Sequence, residues 1–268
     1  MTKIVVLDGY VANPGDLSWE GITNLGEVEI YDRTPTNQVY ERAKDADILV
    51  VNKVVLDEPM LNHLSGKLKC ICTLATGYNN IDVKTANRRG ITVCNAVAYS
   101  SSSVAQHVFA LLLELTNRVS LNNESVQNNE WANSADWSYR KSPMMELAGK
   151  TMGVYGPGQI GRRVIEIARA FGMKIIATRK NPHAEKPYYV KIVDLPTLFG
   201  KSDVLTLHAP LTYENREVVN RRTLSMMKPT AFLINTGRGG LVNESDVREA
   251  LLQGWIAGAG LDVLSKEP

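Results

Sequence analysis

No apolar run in these 268 residues approaches the roughly 18 that a membrane-crossing helix needs. The best, residues 108–113, stops at Glu114. The first eight residues, Met1-Thr-Lys-Ile-Val-Val-Leu-Asp8, reach an acid before the roughly seven apolar residues of a secretory signal accumulate, so a cytoplasmic location is expected. Charge of one sign is also lacking. Thirty Lys and Arg face 28 Asp and Glu, a net charge of +2, and no basic run occurs. That balance leaves no electrostatic footprint for nucleic acid or an anionic membrane. Cysteine is scarce: Cys70, Cys72 and Cys94. Cys70 and Cys72 lie two apart in an apolar run and share a strand face, but zinc would need further ligands at a recognisable spacing. The reading is therefore small buried apolar side chains in a reducing compartment rather than a metal or redox pair, and no metal site is expected. Internal repeats and low-complexity segments are absent too.

What is present is alternation. Short β-branched runs at 4–7, 27–30, 47–51, 70–74 and 91–94 are separated by helical patterns at 37–46, 58–64 and 82–89. Gly90 stands where a helix C-terminal glycine belongs. A long helix is predicted over 103–115, with Val104, Val108, Leu111, Leu112 and Leu115 on its apolar face. Residues 117–143 are polar, long for a plain loop, and carry Trp131 and Trp137. They read as an arm packing on something, such as a second subunit, or on its own chain. From residue 151 the alternation resumes, with strands at 151–155, 174–178, 203–207, 231–234 and 257–261. Asn243 is a predicted N-cap for a helix over 244–253, which Gly254 ends. Alternating βα units with apolar strands imply an α/β fold of two doubly wound parallel-sheet domains, 1–98 and 99–268.

The most specific motif is Gly156-Pro157-Gly158-Gln159-Ile160-Gly161. It follows a predicted strand and opens a predicted helix over 160–171, the context a dinucleotide fingerprint requires. Gly156 permits the tight turn, Gly158 lets a pyrophosphate approach the backbone, and Gly161 allows close helix–strand packing. Helix N-terminal N–H groups and the helix dipole then favour the anion. At the end of the next strand, where NAD enzymes carry an acid for the ribose diol, the chain reads Thr178-Arg179-Lys180. Two cations there suit a 2′-phosphate, so the cofactor is NAD or NADP with a lean to NADP. The alternative is that both are solvated charges and NAD binds through its pyrophosphate.

The order of motifs resembles the D-isomer-specific 2-hydroxyacid dehydrogenases, closest to the glycerate dehydrogenase (hydroxypyruvate reductase) branch. The matching segments are 75–82 (ATGYNNID), 103–107 (SVAQH), 156–161, 208–211 (HAPL), 235–239 (NTGRG) and 260–268, in family order. The resemblance implies a flavodoxin-like substrate domain, a Rossmann-like cofactor domain and an active site in the cleft between them. It implies reversible hydride transfer between a nicotinamide cofactor and a small D-2-hydroxy or 2-keto acid, with glycerate/hydroxypyruvate or glyoxylate as leading substrates, in a homodimer. Arg238 matches the arginine that binds the substrate carboxylate and polarises the ketone. Glu267 matches the acid that raises the pKa of the proton-donating histidine. Ala75, Thr76 and Gly77 match the turn that holds the carboxylate, and Lys53 adds charge there or is merely solvated. Around the cofactor, the family pattern adds Val104 and the turn His208-Ala209-Pro210. It also adds Thr236 and Gly237 beside the arginine, and Asp262 for the nicotinamide carboxamide. Gln106 departs from the family's glutamate.

The histidine itself is not among the four present, His63, His107, His183 and His208. His63 and His183 read as surface residues; His107 and His208 match positions near the domain interface or the cofactor. The reading is thus of a chain lacking the family's C-terminal segment, including the helix that returns to the substrate domain. Such a chain is expected to bind cofactor weakly and turn over negligibly. The alternative is a non-catalytic nicotinamide-binding regulator on the same fold.

Overall fold

The computed structural model describes residues 1–64, 66–181, 187 and 189–267. His183 lies outside the described residues. Contacts divide the chain into two compact units, Met1–Tyr99 and Ser100–Pro268.

The first unit contains β1 (Lys3–Val6), α1 (Gly9–Ala12), α2 (Glu20–Thr23), β2 (Glu27–Ile30), α3 (Val39–Ala43) and β3 (Ile48–Val51). It continues with α4 (Glu58–His63), β4 (Cys70–Thr73), α5 (Val83–Arg88) and β5 (Thr92–Asn95). The strands form one five-stranded sheet in the order β2-β1-β3-β4-β5, parallel throughout. This is the flavodoxin-like winding, whose switch point lies between β1 and β3. Val5, Leu7, Leu49, Val51 and Ile71 are fully buried, as strands covered on both faces require. Asp57 and Asp82 cap α4 and α5 by accepting the N–H groups of Met60 and Thr85.

The second unit contains α6 (Ser101–Asn117), α7 (Val119–Gln127), β6 (Thr151–Tyr155), α8 (Gln159–Ala170), β7 (Lys174–Thr178) and β8 (Val190–Ile192). Then follow α9 (Leu195–Lys201), β9 (Val204–Leu207), α10 (Arg221–Leu224), β10 (Phe232–Asn235), α11 (Glu244–Leu252) and β11 (Gly258–Leu261). Its six strands run parallel in the order β11-β10-β9-β6-β7-β8. Counted from β6, that is the Rossmann winding 3-2-1-4-5-6 with its switch point between β6 and β9. One face is filled by Ala105, Val108 and Leu112 of α6 and Val164, Ile165 and Ala168 of α8. Each branched side chain there gains about 1.5–3 kcal/mol on burial. Gly172, at φ +74°, ends α8 in the left-handed region that favours glycine.

Several sequence expectations change. Residues 37–46 form a short 3-10 turn (Thr36–Gln38) and the five-residue α3, because Pro35 precedes and Thr36-Asn37 favour turn geometry. Strand β8 has only three residues and follows a Pro-rich stretch, so periodicity gave no signal for it. The polar 117–143 stretch is not loop throughout: α7 occupies its first third, after Arg118 turns the chain at φ 50°. Its remainder is tied within itself. Ser125 Oγ and Tyr139 Oη lie 2.6 Å apart, Lys141 pairs with Glu130, and Trp131 Nε1 donates to the Trp137 carbonyl at 3.1 Å. The cysteines are less buried than expected: Cys70 and Cys72 are half-buried and Cys94 is exposed, since β5 is an edge strand.

Candidate cofactor and active site

In a parallel sheet every strand ends on the same side, and ligands gather there. The loops that leave those ends in the second unit carry every cofactor residue named above except Val104. The turn after β6 is 156–161, the one after β7 is 178–180, and the one after β9 is 208–210. Residues 236–238 follow β10, and Asp262 follows β11.

The glycine turn is built as its sequence predicts. Gly156 sits at φ +88°, and a Cβ on it would lie 2.6 Å from the Ala209 nitrogen, so the β6 and β9 loops meet at backbone distance. A Cβ on Gly161 would lie 2.6 Å from the Gly156 carbonyl oxygen. A Cβ on Gly158 would meet nothing within 4 Å. Gly158 is thus not required by packing; it leaves open space in front of the helix. Helix α8 starts there with no side chain capping it, whereas α9, α10 and α11 are capped by Asp194, Asn220 and Asn243. Its first N–H groups therefore have no side-chain cap, an arrangement that suits an anion. Pro157 and Gln159 flank the opening, half-buried and exposed, while half-buried Ile160 packs on the core.

Beside this turn lies a cavity of about 190 Å³ lined by Pro157, Arg162, Arg179, Pro187 and Tyr189 among others. Thr178 donates its hydroxyl to the Val193 carbonyl at 2.6 Å, and Lys180 is exposed. His208 Nε2 lies 2.9 Å from Thr206 Oγ1. Burial pushes its pKa down to about 4, so it is a neutral imidazole at pH 7. Ala209 is half-buried, and Pro210 accepts from Asn215 Nδ2 at 2.8 Å.

The loop carrying Arg238 is organised by Asn235, fully buried at the end of β10. Its Oδ1 accepts the Gly237 N–H at 3.0 Å, and its Nδ2 donates to the Arg238 carbonyl at 3.0 Å. Arg238 Nη1 donates to the Gly237 carbonyl at 2.8 Å. The Thr236 hydroxyl is buried without a hydrogen-bond partner among the described residues. An unsatisfied buried hydroxyl costs about 1–3 kcal/mol, and a polar ligand group beside it removes that cost. Asp262 pairs with His107 of α6, Oδ1 to Nε2, at 3.2 Å, and Val104 lies half-buried one turn earlier on that helix. A Cβ on Gly239 would lie 1.9 Å from the Leu264 carbonyl carbon, so the residue after Arg238 rests directly on the backbone leading to Glu267. Glu267 is exposed, with its Oε1 accepting the Leu264 N–H at 3.3 Å.

In the first unit, Lys53 follows β3 and Ala75-Thr76-Gly77 follow β4, both at the carboxyl edge. Asp8, 4% exposed, accepts the N–H groups of Asn52, Lys53 and Val54 at 2.7, 2.5 and 3.0 Å. The 75–77 turn is tied to the chain after β5. Ala96 N–H donates to the Ala75 carbonyl at 3.1 Å, Thr76 Oγ1 to the Ala96 carbonyl at 2.9 Å, and Asn95 Nδ2 to the Thr76 carbonyl at 2.8 Å. His63 sits edge-on against Tyr40 at 4.9 Å. Sequence reasoning missed Asp8 and Asn235 as organisers. The signal for both was a single polar residue ending an apolar strand. Among the described residues no group of three or more His, Cys, Asp or Glu is arranged to hold a metal, and no helix is long and apolar enough to cross a membrane.

Comparison with known proteins places the chain in a family. Residues 109–268 match the family model for the NAD binding domain of D-isomer specific 2-hydroxyacid dehydrogenases. A hydroxypyruvate reductase of Blautia hydrogenotrophica is 42% identical over 271 residues, covering 99% of this chain and 84% of the relative. The chain belongs to the D-isomer specific 2-hydroxyacid dehydrogenase family. A glyoxylate reductase of Thermococcus litoralis is 40% identical over 257 residues, 92% of this dehydrogenase and 76% of the relative. Among solved structures, an acyclic imino acid reductase in complex with NADPH and D-Arg superposes with TM-score 0.89 at 34% identity, covering 99% of this chain and 84% of that one. The dehydrogenase is thus an oxidoreductase that moves hydride between a nicotinamide cofactor, NAD or NADP, and a small hydroxy or keto acid.

Proposed function

We propose that this dehydrogenase reduces a short 2-keto acid, hydroxypyruvate or glyoxylate, to the D-2-hydroxy acid, with the dinucleotide seated on the 156–161 turn. The observation that carries this reading is the Asn235-stapled loop, which fixes Arg238 at the carboxyl edge of the second sheet, the same edge from which α8 starts uncapped.

The residues present fit the cofactor: Gly156, Pro157, Gly158, Gln159, Ile160 and Gly161 hold the pyrophosphate, and Thr236 offers it a hydroxyl that is unpartnered among the described residues. Thr178, Arg179 and Lys180 take the adenosine ribose, and their cationic character favours the 2′-phosphate of NADP. Val104, His208, Ala209, Pro210 and Gly237 line the rest of the dinucleotide path, and Asp262, steadied by His107, receives the carboxamide. When bound, the reduced cofactor supplies the hydride. Arg238 grips the substrate carboxylate and stabilises negative charge as it grows on the ketone oxygen. In the first unit, Ala75, Thr76, Gly77 and Lys53 stand at the carboxyl edge of its own sheet and are the residues there proposed to contact a carboxylate. Glu267 is the residue that would keep the family's proton-donating imidazole, which none of the four histidines here supplies, charged by accepting its N–H. His208 is neutral near pH 7 and His107 is paired with Asp262, so neither takes that role.

The assembly proposed is a cytoplasmic homodimer, supported by apolar surface on and after α7: Val119, Val126, Trp131 and Trp137 are 62, 44, 54 and 97% exposed. Sedimentation velocity tests it, and a concentration-independent monomer overturns it. For the activity, cofactor affinity is measured by NADH and NADPH fluorescence, followed by a panel of hydroxypyruvate, glyoxylate, pyruvate and a 2-imino acid. Tighter binding of NADPH than of NADH is expected, and the turnover this chain gives, small without the family's proton-donating histidine, should favour the two small keto acids. Preference for the imino acid, or equal rates with Arg238→Ala, would overturn the assignment.

A further inference from the structure

The three thiols of the first unit are not scattered. Cys70 and Cys72 sit on β4 with their Sγ atoms 3.7 Å apart. Cys72 and Cys94 are register partners across the β4–β5 pair, and Cys94 is exposed on the edge strand. We propose that Cys72 and Cys94 form a reversible disulfide under peroxide, and that this bond re-sets the 75–77 turn.

Backbone geometry selects the pair. Register partners on neighbouring strands lie about 4.8 Å apart, inside the roughly 4.4–6.8 Å window for disulfide-bonded Cα atoms. Residues two apart on one strand are about 6.6 Å apart, at the edge of that window. The diagonal Cys70–Cys94 pair is roughly 8 Å apart, outside it. Exposure selects the order of events. Peroxide reaches Cys94 first: its sulfur takes one oxygen from H2O2, giving a sulfenic acid and one water. The Cys72 sulfur then displaces hydroxide from that sulfenic acid, closing the S–S bond and releasing a second water. Two thiols lose two electrons in total, and one peroxide gains them. Burial and its thiol neighbours push Cys70 up to about 12, which disfavours its thiolate.

The consequence follows from chain connectivity. Cys72 precedes Ala75 by three residues, and Cys94 directly precedes Asn95 and Ala96, which supply the hydrogen bonds that hold the turn. Drawing Cys94 to Cys72 pulls on both sides of that lacing at once. This second step rests on the proposed role of residues 75–77 in substrate binding; disulfide formation does not.

The test is stoichiometric hydrogen peroxide on the protein, alkylation, digestion without reduction and mass spectrometry. A cross-link between the Cys72 and Cys94 peptides is expected, with the three free thiols falling to one. Cys70→Ser retains the cross-link and Cys94→Ser abolishes it. A Cys70–Cys72 link, or Cys94 over-oxidised with no link, overturns the pairing. Hydrogen exchange on residues 74–78 reads the turn independently of turnover and is expected to change on oxidation and return with dithiothreitol; unchanged exchange refutes the coupling. Steady-state kinetics should then show KM for the keto acid rising severalfold while cofactor affinity stays constant. A cross-link with altered exchange but constant KM leaves the thiol chemistry standing and removes the substrate role of the turn.

Discussion

Asn235 is fully buried, yet it has no contact with substrate to make; its two hydrogen bonds shape the loop that carries Arg238. Replacing it with Ala removes both. Each bond contributes about 1 kcal/mol net, and leaving the Gly237 N–H without its acceptor adds about 1–3 kcal/mol. Gly237 and Arg238 are only half-buried, so water recovers part of that loss, and the expected destabilisation is about 2–3 kcal/mol. The functional loss should be larger in proportion, because a guanidinium displaced by about 1 Å can cost on the order of a hundredfold in rate. Urea unfolding and kcat/KM for the keto acid measure the two effects. Stability within about 0.5 kcal/mol of wild type, the range of a neutral surface change, would refute the staple. Asn235→Asp sharpens the case through its pH dependence. Its Oδ1 still accepts from Gly237, but an ionised second oxygen faces the Arg238 carbonyl. Burial and that carbonyl raise the folded-state pKa above the unfolded value near 3.9. The native form then holds the extra proton, so stability is fullest below about pH 4 and falls as pH rises through the folded pKa. A flat profile relative to wild type would show that the second contact is unimportant.

Other outcomes follow from the same geometry. Gly158→Ala should leave the melting temperature nearly unchanged, since its Cβ meets nothing, yet weaken dinucleotide binding about tenfold or more by blocking backbone approach. Gly161→Ala should lower both, because its Cβ collides with the Gly156 carbonyl; calorimetry and fluorescence titration separate the two cases. Asp8→Ala strips three N–H groups of their acceptor and should destabilise the first unit by about 3 kcal/mol or more in urea. His208 contributes a pH dependence of opposite sign to that of Asn235→Asp. With a folded pKa of about 4 against roughly 6.5 unfolded, the unfolded chain binds the extra proton between those values. Stability is therefore full above about pH 6.5 and lost by up to roughly 3 kcal/mol as pH falls to 4, and His208→Gln should flatten that slope in acid titrations. Arg179→Ala should weaken NADPH more than NADH by about tenfold; equal losses would show that the guanidinium does not read the 2′-phosphate.

Much of this was legible in the sequence because each signal was local. The glycine turn, the Asn243 cap and the long α6 need only neighbours within one or two helical turns, and all three form, though of the expected α6 face only Val108 and Leu112 are fully buried, beside Ala105, Phe109 and Thr116. Strand β8 was not legible, since three residues cannot show a period. The order of strands in each sheet was not legible locally, because crossovers span more than any short window; it came only through the family resemblance, whose flavodoxin-like and Rossmann-like domains the sheets match. Cys94 was misjudged because burial depends on which strand ends at the edge. Asp8 and Asn235 were passed over for a related reason. Their partners, residues 52–54 in one case and the loop beyond β10 in the other, become partners only once the chain has folded.

Gly239 sets one further condition on evolution of this chain. Because it lacks a side chain, the stretch bearing the guanidinium and the stretch bearing the acid lie main chain against main chain. The spacing of those two backbone stretches is therefore fixed by main-chain contact at Gly239, whatever rotamers Arg238 and Glu267 adopt. Even one added methyl at this position would force the two main-chain stretches apart.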